Sequence, residues 1–197
     1  MAGFHPGIKF TFVALCFVVA LVSFLRSYSR RDWFWLTAGM GFTVAADYFL
    51  VLHDRHLIGI TIFCFAHICY ILRAIDVRLQ SWPALVFLMS GIFIVVLARS
   101  VYVIAAVYAT LFAINIIVNG LHLRQKKARL PKHNRVLVLT GLILFMLCDI
   151  CVLLYNLPTY YGASIQWRQV LPLVWVFYLP SQVLLALSGV RFKCIHT

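Results

Sequence analysis

The chain contains no glutamate. Its five acidic side chains are all aspartate, against 17 lysines and arginines, and charged residues make up only 11% of the 197 positions. A soluble domain is about half apolar and about a quarter charged. At 64% hydrophobic this sequence falls outside that class, and its solvent is expected to be largely lipid. A net charge of +12 in a soluble protein would point to nucleic acid. Here the basic residues sit between apolar runs, so anionic lipid headgroups are the expected counterpart and no nucleic-acid partner is expected. A disulfide framework is missing too. Cys16, Cys64, Cys69, Cys148, Cys151 and Cys194 mostly fall inside apolar runs, and the CxxC at Cys148 and Cys151 reads as small packing residues. No small-residue cleavage site follows the first apolar run, so a cleaved signal peptide is not expected.

What is present is a series of long apolar segments. Crossing the hydrocarbon as helix takes about 20 apolar residues. Seven segments qualify: 9–25, 33–52, 57–75, 82–97, 101–121, 136–155 and 168–190. The connections are short apart from 122–135 and 156–167, which leaves residues 1–197 as one integral-membrane helical domain. Trp33, Trp35, Trp82 and Trp167 stand at predicted span ends, where indole rings favour the headgroup region. The expected architecture is therefore all-α, a polytopic membrane helix bundle. Basic residues alternate between the two sets of connections. One side holds 13: Arg26, Arg30, Arg31, Arg73, Arg78, Arg124, Lys126, Lys127, Arg129, Lys132, Arg135, Arg191 and Lys193. The other holds four: Lys9, Arg55, Arg99 and Arg168. The positive-inside rule then puts the N-terminus outside and the C-terminus in the cytoplasm. The most basic loop, "HLRQKKARLPKHNR", reads as a topology determinant touching anionic lipid.

Against that background the polar residues inside the spans stand out. Asp32, Asp54 and Asp76 fall at span ends or in loops, where water is expected to solvate them. Asp47, in "VAADYF", and Asp149, in "MLCDIC", lie well inside. A charge at mid-bilayer costs at least roughly 2.5–3.5 kcal/mol, so both should face a protein interior or a wet cavity. Asp47 is the fifteenth residue of its span and Asp149 the fourteenth of a span running the same way. At about 1.5 Å per residue both lie near 20 Å from the basic end, at one level. A glycine precedes each by eight positions, Gly39 and Gly141, a weak hint of a parallel repeat. His67 and Tyr70 share a helix face, as do Tyr178 and Gln182, with Pro180 expected to kink the helix between them. Asn115 and Asn119 share another and read as interhelical hydrogen-bonding residues. In "LHDRHL", His53 and His56 lack a third ligand nearby, and no metal site is expected.

The segment "GMGFTVAADYFLVLHDRHLIGITIFCFAHICYIL", Gly39 to Leu72, resembles the YhhN-like lysoplasmalogenase family. The family pattern is a glycine-rich apolar helix ending in an acid, a short turn, and a Phe-rich helix with Ala-His and a tyrosine three residues later. Asp47, Gly59, Phe63, Ala66, His67 and Tyr70 match it. "GLILFMLCDICVLL" is similar to a later helix carrying a second acid, here Asp149, and "VFYLPSQVLLALSG" to a final helix with Tyr178 and Gln182. Three departures stand out. Ala46 and Cys148 replace the Gly and Ser before the two acids, and seven spans are read where the family usually has eight. The resemblance implies hydrolysis of the vinyl ether bond of lysoplasmalogens, with a lysophospholipid substrate and no cofactor. Asp47 and Asp149 would then supply acid and base, His67 would tune one of them, and Tyr70, Tyr178 and Gln182 would position substrate; Asn115 and Asn119, outside the matched motifs, are further candidates for substrate binding.

Other classes remain open from the residues alone. A proton-coupled transporter would use intramembrane Asp and His as a relay. An intramembrane aspartyl protease also needs two acids, but neither "VAADY" nor "LCDI" carries its GxGD. A retinal receptor is disfavoured because the last span holds no lysine before Lys193.

Overall fold

The computed structural model describes residues 6–75, 100–125, 128, 130–161 and 171–191. Among them every regular element is helical: α1 (Pro6–Val22), α2 (Arg30–Asp47), α3 (His56–Ala74), α4 (Val101–Arg124), α5 (Lys132–Tyr161) and α6 (Leu171–Leu187). A 3₁₀ turn, Ser23–Arg26, extends α1, and a π-helical turn, Tyr48–Leu52, extends α2. Five of these stretches are long and apolar enough to cross a membrane, and α6 is a shorter apolar helix. With its π turn α2 covers Arg30–Leu52, 23 residues. At about 1.5 Å per residue that is roughly 34 Å, enough for a hydrocarbon core of about 30 Å.

Local sequence sets the helix starts. Ser29 caps α2 by accepting from the Asp32 backbone N–H at 3.1 Å, and Asp32 in the first turn complements the helix dipole. Ser100 caps α4 in the same way, accepting from Val103 N–H at 3.4 Å. Several hydroxyls within the apolar helices fold back onto the preceding turn, as Thr43 does onto Gly39 O at 3.0 Å and Thr61 onto Leu57 O at 2.7 Å. The Trp33 indole N–H donates to Leu21 O at 3.1 Å and ties the start of α2 to α1.

Each helix packs on the next in the order α1 to α6, and α6 packs back on α1, so the helices close into a ring. The most extensive pairs are α2–α3 and α5–α6, and each has a glycine at its seam. A Cβ on Gly39 would stand 2.6 Å from the Tyr70 ring, and one on Gly141 would stand 3.0 Å from Leu185. The two glycines sit eight residues before Asp47 and Asp149, respectively, and let a neighbouring helix come close.

Large apolar side chains lie on the outside as well as in the core, with Leu15, Val22, Ile117, Leu153 and Val176 each at least 59% exposed. Within a mostly apolar interior, Asp47, His67, Asn115, Ser181 and Gln182 are buried. An apolar exterior with polar side chains held inside the bundle suits a hydrocarbon solvent.

Hydrogen bonds tie the ends of five helices together at one end of the bundle. Asp32 of α2 meets Arg73 of α3, and Arg73 meets Ser188 after α6. Asn134 of α5 donates to Ser188 O, and Arg135 of α5 donates to carbonyls at the end of α4, including that of His122. Helices α2 and α5 therefore run the same way, opposite to α3, α4 and α6. Among the described residues, Arg26, Arg30, Arg31, Arg73, Arg124, Lys132, Arg135 and Arg191 lie at this end, whereas Lys9 and Arg55 lie at the other.

Several sequence expectations are revised. The connection expected at 122–135 is shorter, because α4 runs on to Arg124 and α5 begins at Lys132. Asp32 was expected to be solvated. It is 8% exposed and forms an ion pair with Arg73, a partner 41 residues away. Helix α3 ends and α4 begins at opposite ends of the bundle. The predicted span 82–97 falls between them and lies outside the described residues. So do Trp82, Trp167, Asp76 and Cys194, and the basic residues Arg78, Arg99, Lys126, Lys127, Arg129, Arg168 and Lys193.

Candidate active site

At the opposite end from the Asp32–Arg73 pair, each described helix contributes one polar side chain to a common region. Asp47 closes the α-helical part of α2, where the backbone passes into the π turn. π turns inside helices frequently mark functional positions because they re-aim side chains. Gly59 of α3 makes room for that turn, since a Cβ there would stand 2.3 Å from Leu50 Cγ. Asp47 is 3% exposed, and its carboxylate accepts a hydrogen bond from the Tyr178 hydroxyl of α6. Asp149 of α5 is half-buried and accepts one from the Tyr108 hydroxyl of α4. The two acid–tyrosine pairs are therefore built alike, on four different helices.

The carboxylates are within electrostatic range of one another. Lys9 of α1 acts on both. Its ammonium lies 5.0 Å from the Tyr178 ring centre and 5.1 Å from that of Trp175, a cation–π arrangement that holds it beside the acids. A single cation thus faces two carboxyl groups.

His67 of α3 is fully buried, and its ring partner is an amide. Asn119 donates to the Asn115 backbone carbonyl at 2.9 Å and to Asn115 Oδ1 at 2.8 Å. That fixes Asn115 Nδ2 as the atom facing His67 Nδ1, at 3.0 Å. An amide N–H only donates, so Nδ1 accepts and the neutral ring carries its proton on Nε2. Nε2 is buried and has no hydrogen-bond partner among the described residues. The His67 ring stacks at 4.1 Å on Phe112 and lies 5.1 Å from Tyr108 and 5.7 Å from Phe145, and Phe145 lies 5.5 Å from Tyr178. An aromatic wall therefore joins His67 to both acid-bound tyrosines.

The sequence-derived candidates divide accordingly. Asp47 and Tyr178 meet directly, and Asp149 lies within electrostatic range of Asp47. His67 was expected to tune one of the acids; its hydrogen-bond partner is Asn115, and Tyr108 and Tyr178 hold the acids. Asn115 and Asn119 form a chain along one helix that ends on His67. Tyr70 packs against Gly39 in the α2–α3 seam, its ring centre 6.5 Å from that of His67. Gln182 is fully buried, donates to Ser181 Oγ at 3.3 Å, and leaves its Oε1 unpartnered. Pro180 lies within α6, and Ser181 Oγ donates to Tyr178 O at 2.7 Å beside it.

Sequence reasoning missed two residues. Tyr108 is seven positions before Asn115 and on the same face of α4, and that spacing was a usable signal. Lys9 was counted with the loop charges, yet it lies a turn inside α1. His56 pairs with the exposed Asp54 at 3.0 Å. Among the described residues no three His, Cys, Asp or Glu side chains converge as a metal site. Cys148 and Cys151 are buried free thiols.

No curated protein and no solved structure matches the chain in comparisons with known proteins. A family model does match, that of the YhhN family, over residues 4–189. That stretch includes all six described helices and every side chain of the site, and the chain belongs to the YhhN family.

Proposed function

We propose that this protein is a multi-pass integral membrane hydrolase that cleaves the vinyl ether bond of lysoplasmalogens. The observation that carries the reading is the pair of intramembrane carboxyl groups, each held by a tyrosine, within range of each other beside one lysine. Membership of a family resembling lysoplasmalogenases supports it.

The chemistry suits the groups present. A vinyl ether is opened by protonating the alkene carbon that is β to oxygen, which leaves an oxocarbenium ion. Water adds to its carbon and loses a proton. The hemiacetal then collapses to a fatty aldehyde and the glycerol hydroxyl of glycerophosphoethanolamine or glycerophosphocholine. One water is consumed and no electrons change hands. The slow proton transfer needs a carboxylic acid, and the cation needs a carboxylate close by. Two acids at short range tend to share one proton, which provides one of each. Glycosidases meet an oxocarbenium ion with the same pairing. The tyrosine hydroxyls donate to the carboxylates and fix their orientation, and the aromatic wall around His67 limits water to what the reaction uses. Lys9 lies where it can meet the substrate phosphate, one glycerol unit from the reacting bond.

The test is incubation of purified protein in detergent with a lysoplasmalogen, with release of free aldehyde as the readout. An ester-linked lysophospholipid, which has no vinyl ether, is the control. In heavy water the aldehyde should carry one deuterium on the carbon next to the carbonyl. Absence of aldehyde under conditions where the protein is folded overturns the reading.

A further inference from the structure

Two buried polar atoms of opposite kind take no part in the acid–tyrosine pairs. Nε2 of His67 carries a hydrogen, and Oε1 of Gln182 accepts one. Both side chains are fully buried, and neither atom has a hydrogen-bond partner among the described residues. Each is held in that orientation from behind. Asn119 and Asn115 form a chain that ends on His67 Nδ1, so the ring presents its Nε2–H on the far side. On α6 the Ser181 hydroxyl spends its hydrogen on Tyr178 O, so it can only accept from Gln182 Nε2. That turns Oε1 the other way.

The two residues stand at one depth. Across the α2–α3 seam Gly59 meets Leu50 and Tyr70 meets Gly39, a register that sets His67 opposite Phe42. Phe42 lies five residues before Asp47, about 7.5 Å nearer the basic end. Gln182 follows Tyr178, the residue that holds Asp47, by four positions, about 6 Å in the same direction. Phe145, four positions before Asp149, lies at this level too, its ring centre 5.7 Å from that of His67 and 5.5 Å from that of Tyr178. Side chains lean toward the N-terminus of their helix, which for α3 and α6 is the acid end. His67 and Gln182 therefore lean toward the carboxyl groups from one turn below. A buried donor and a buried acceptor at one level, not bonded to each other, suit a small molecule that both accepts and donates. Buried waters bridge about two to four such groups.

We propose that His67 Nε2–H and Gln182 Oε1 hold the water that the hydrolysis consumes, with Asn115 and Asn119 as positioning residues that keep His67 a donor. This inference rests on the vinyl ether reading above. The water accepts from Nε2–H and donates one hydrogen to Oε1. Its remaining lone pair forms the C–O bond to the oxocarbenium carbon. Its second proton passes to the carboxylate that supplied the first, which restores the proton shared by the acid pair. A water held in this way attacks before the cation can return its proton.

The test measures that commitment in heavy water. With wild type, unreacted lysoplasmalogen recovered part-way through turnover should carry no deuterium on its alkenyl carbons. His67→Phe and Gln182→Met should each lower kcat about tenfold, the effect of losing one hydrogen bond. Their recovered substrate should gain deuterium, because the cation loses a proton back before water adds. Wild-type kcat without exchange in both variants overturns the proposal. A second measurement needs no turnover, and so stands even if wild type releases no aldehyde and the vinyl ether reading fails. In solid-state NMR of the protein in bilayers, with isotope-labelled histidine rings, the His67 signal is the one lost in His67→Phe. Its Nε2 should carry the proton and show magnetisation transfer to a bound water, and Gln182→Met should weaken that transfer. Asn115→Asp, whose carboxylate only accepts, should move the proton to Nδ1. An Nε2–H with no water contact in wild type overturns the water site.

Discussion

Helix α2 carries an aspartate at each end, and both are buried, Asp32 at 8% and Asp47 at 3% exposure. Their surroundings differ in one respect that decides what each can do. Asp32 is gripped by two N–H groups of Arg73, at 2.7 and 3.2 Å, in an arrangement that fixes it in place. Asp47 has a tyrosine hydroxyl on one oxygen and a lysine nearby that it shares with Asp149. A carboxylate gripped by a guanidinium braces the helices, whereas one held by a neutral donor beside a second acid is in the arrangement that proton transfer would require. The same residue type on the same helix is therefore structural at one end and suited to chemistry at the other.

The sharpest way to break the comparison is to make both acids neutral in turn. Asp47→Asn or Asp149→Asn should lower turnover of a lysoplasmalogen about 10²- to 10⁴-fold, the range of a general acid or base. The protein should stay folded, because an amide can still accept from tyrosine. Near-normal turnover in either variant would end the two-acid mechanism. At the other end the large effect falls on stability. Arg73→Met leaves Asp32 buried without a counterion and should cost about 3–5 kcal/mol, measured by thermal unfolding in detergent, with kcat per folded molecule retained. Adding Asp32→Asn should recover part of that loss. A stable single Arg73→Met variant would show that the pair does not hold the helices together.

The two tyrosines give a finer comparison. Tyr178→Phe and Tyr108→Phe each remove one hydrogen bond to a carboxylate, worth about 1.5–3 kcal/mol when the group is charged. Turnover should fall about tenfold to a hundredfold, with the larger loss for Tyr178, whose acid is the more deeply buried. Equal turnover in wild type and both variants would mean that the hydroxyls only fill space.

How much of this the sequence disclosed depends on how far away each partner lies. Asp47 and Asp149 were legible because an acid in an apolar run is conspicuous whatever surrounds it, and their common level followed from counting residues along two parallel spans. The burial of Asp32 was not, since "SRRDWF" reads as a wet helix start and its partner Arg73 arrives only when α3 packs beside α2. His67 was read as tuning one of the acids, which were the conspicuous partners in the sequence, whereas the amide of Asn115 is the one within hydrogen-bonding reach. Tyr108 was hidden by being one of nine tyrosines in an aromatic-rich chain, where only its spacing from Asn115 distinguished it.

Lys9 and Arg73 complete the comparison as cations at opposite ends, and the smallest expected effect separates them. Arg73 makes close bonds to a carboxylate, whereas Lys9 rests over two rings and acts on two acids without gripping either. Its charge is available to a phosphate. Lys9→Met keeps the length and the aromatic contact, so the melting temperature should hold. KM for a lysoplasmalogen should rise about tenfold, the effect of losing one modest charge-assisted contact of about 1.4 kcal/mol, with kcat little changed. A 1-alkenylglycerol, which has the vinyl ether and no phosphate, should show the same KM in both proteins. If KM rises equally for the two substrates, Lys9 shapes the site without reading phosphate. If kcat falls while KM holds, its charge serves the acids rather than the headgroup.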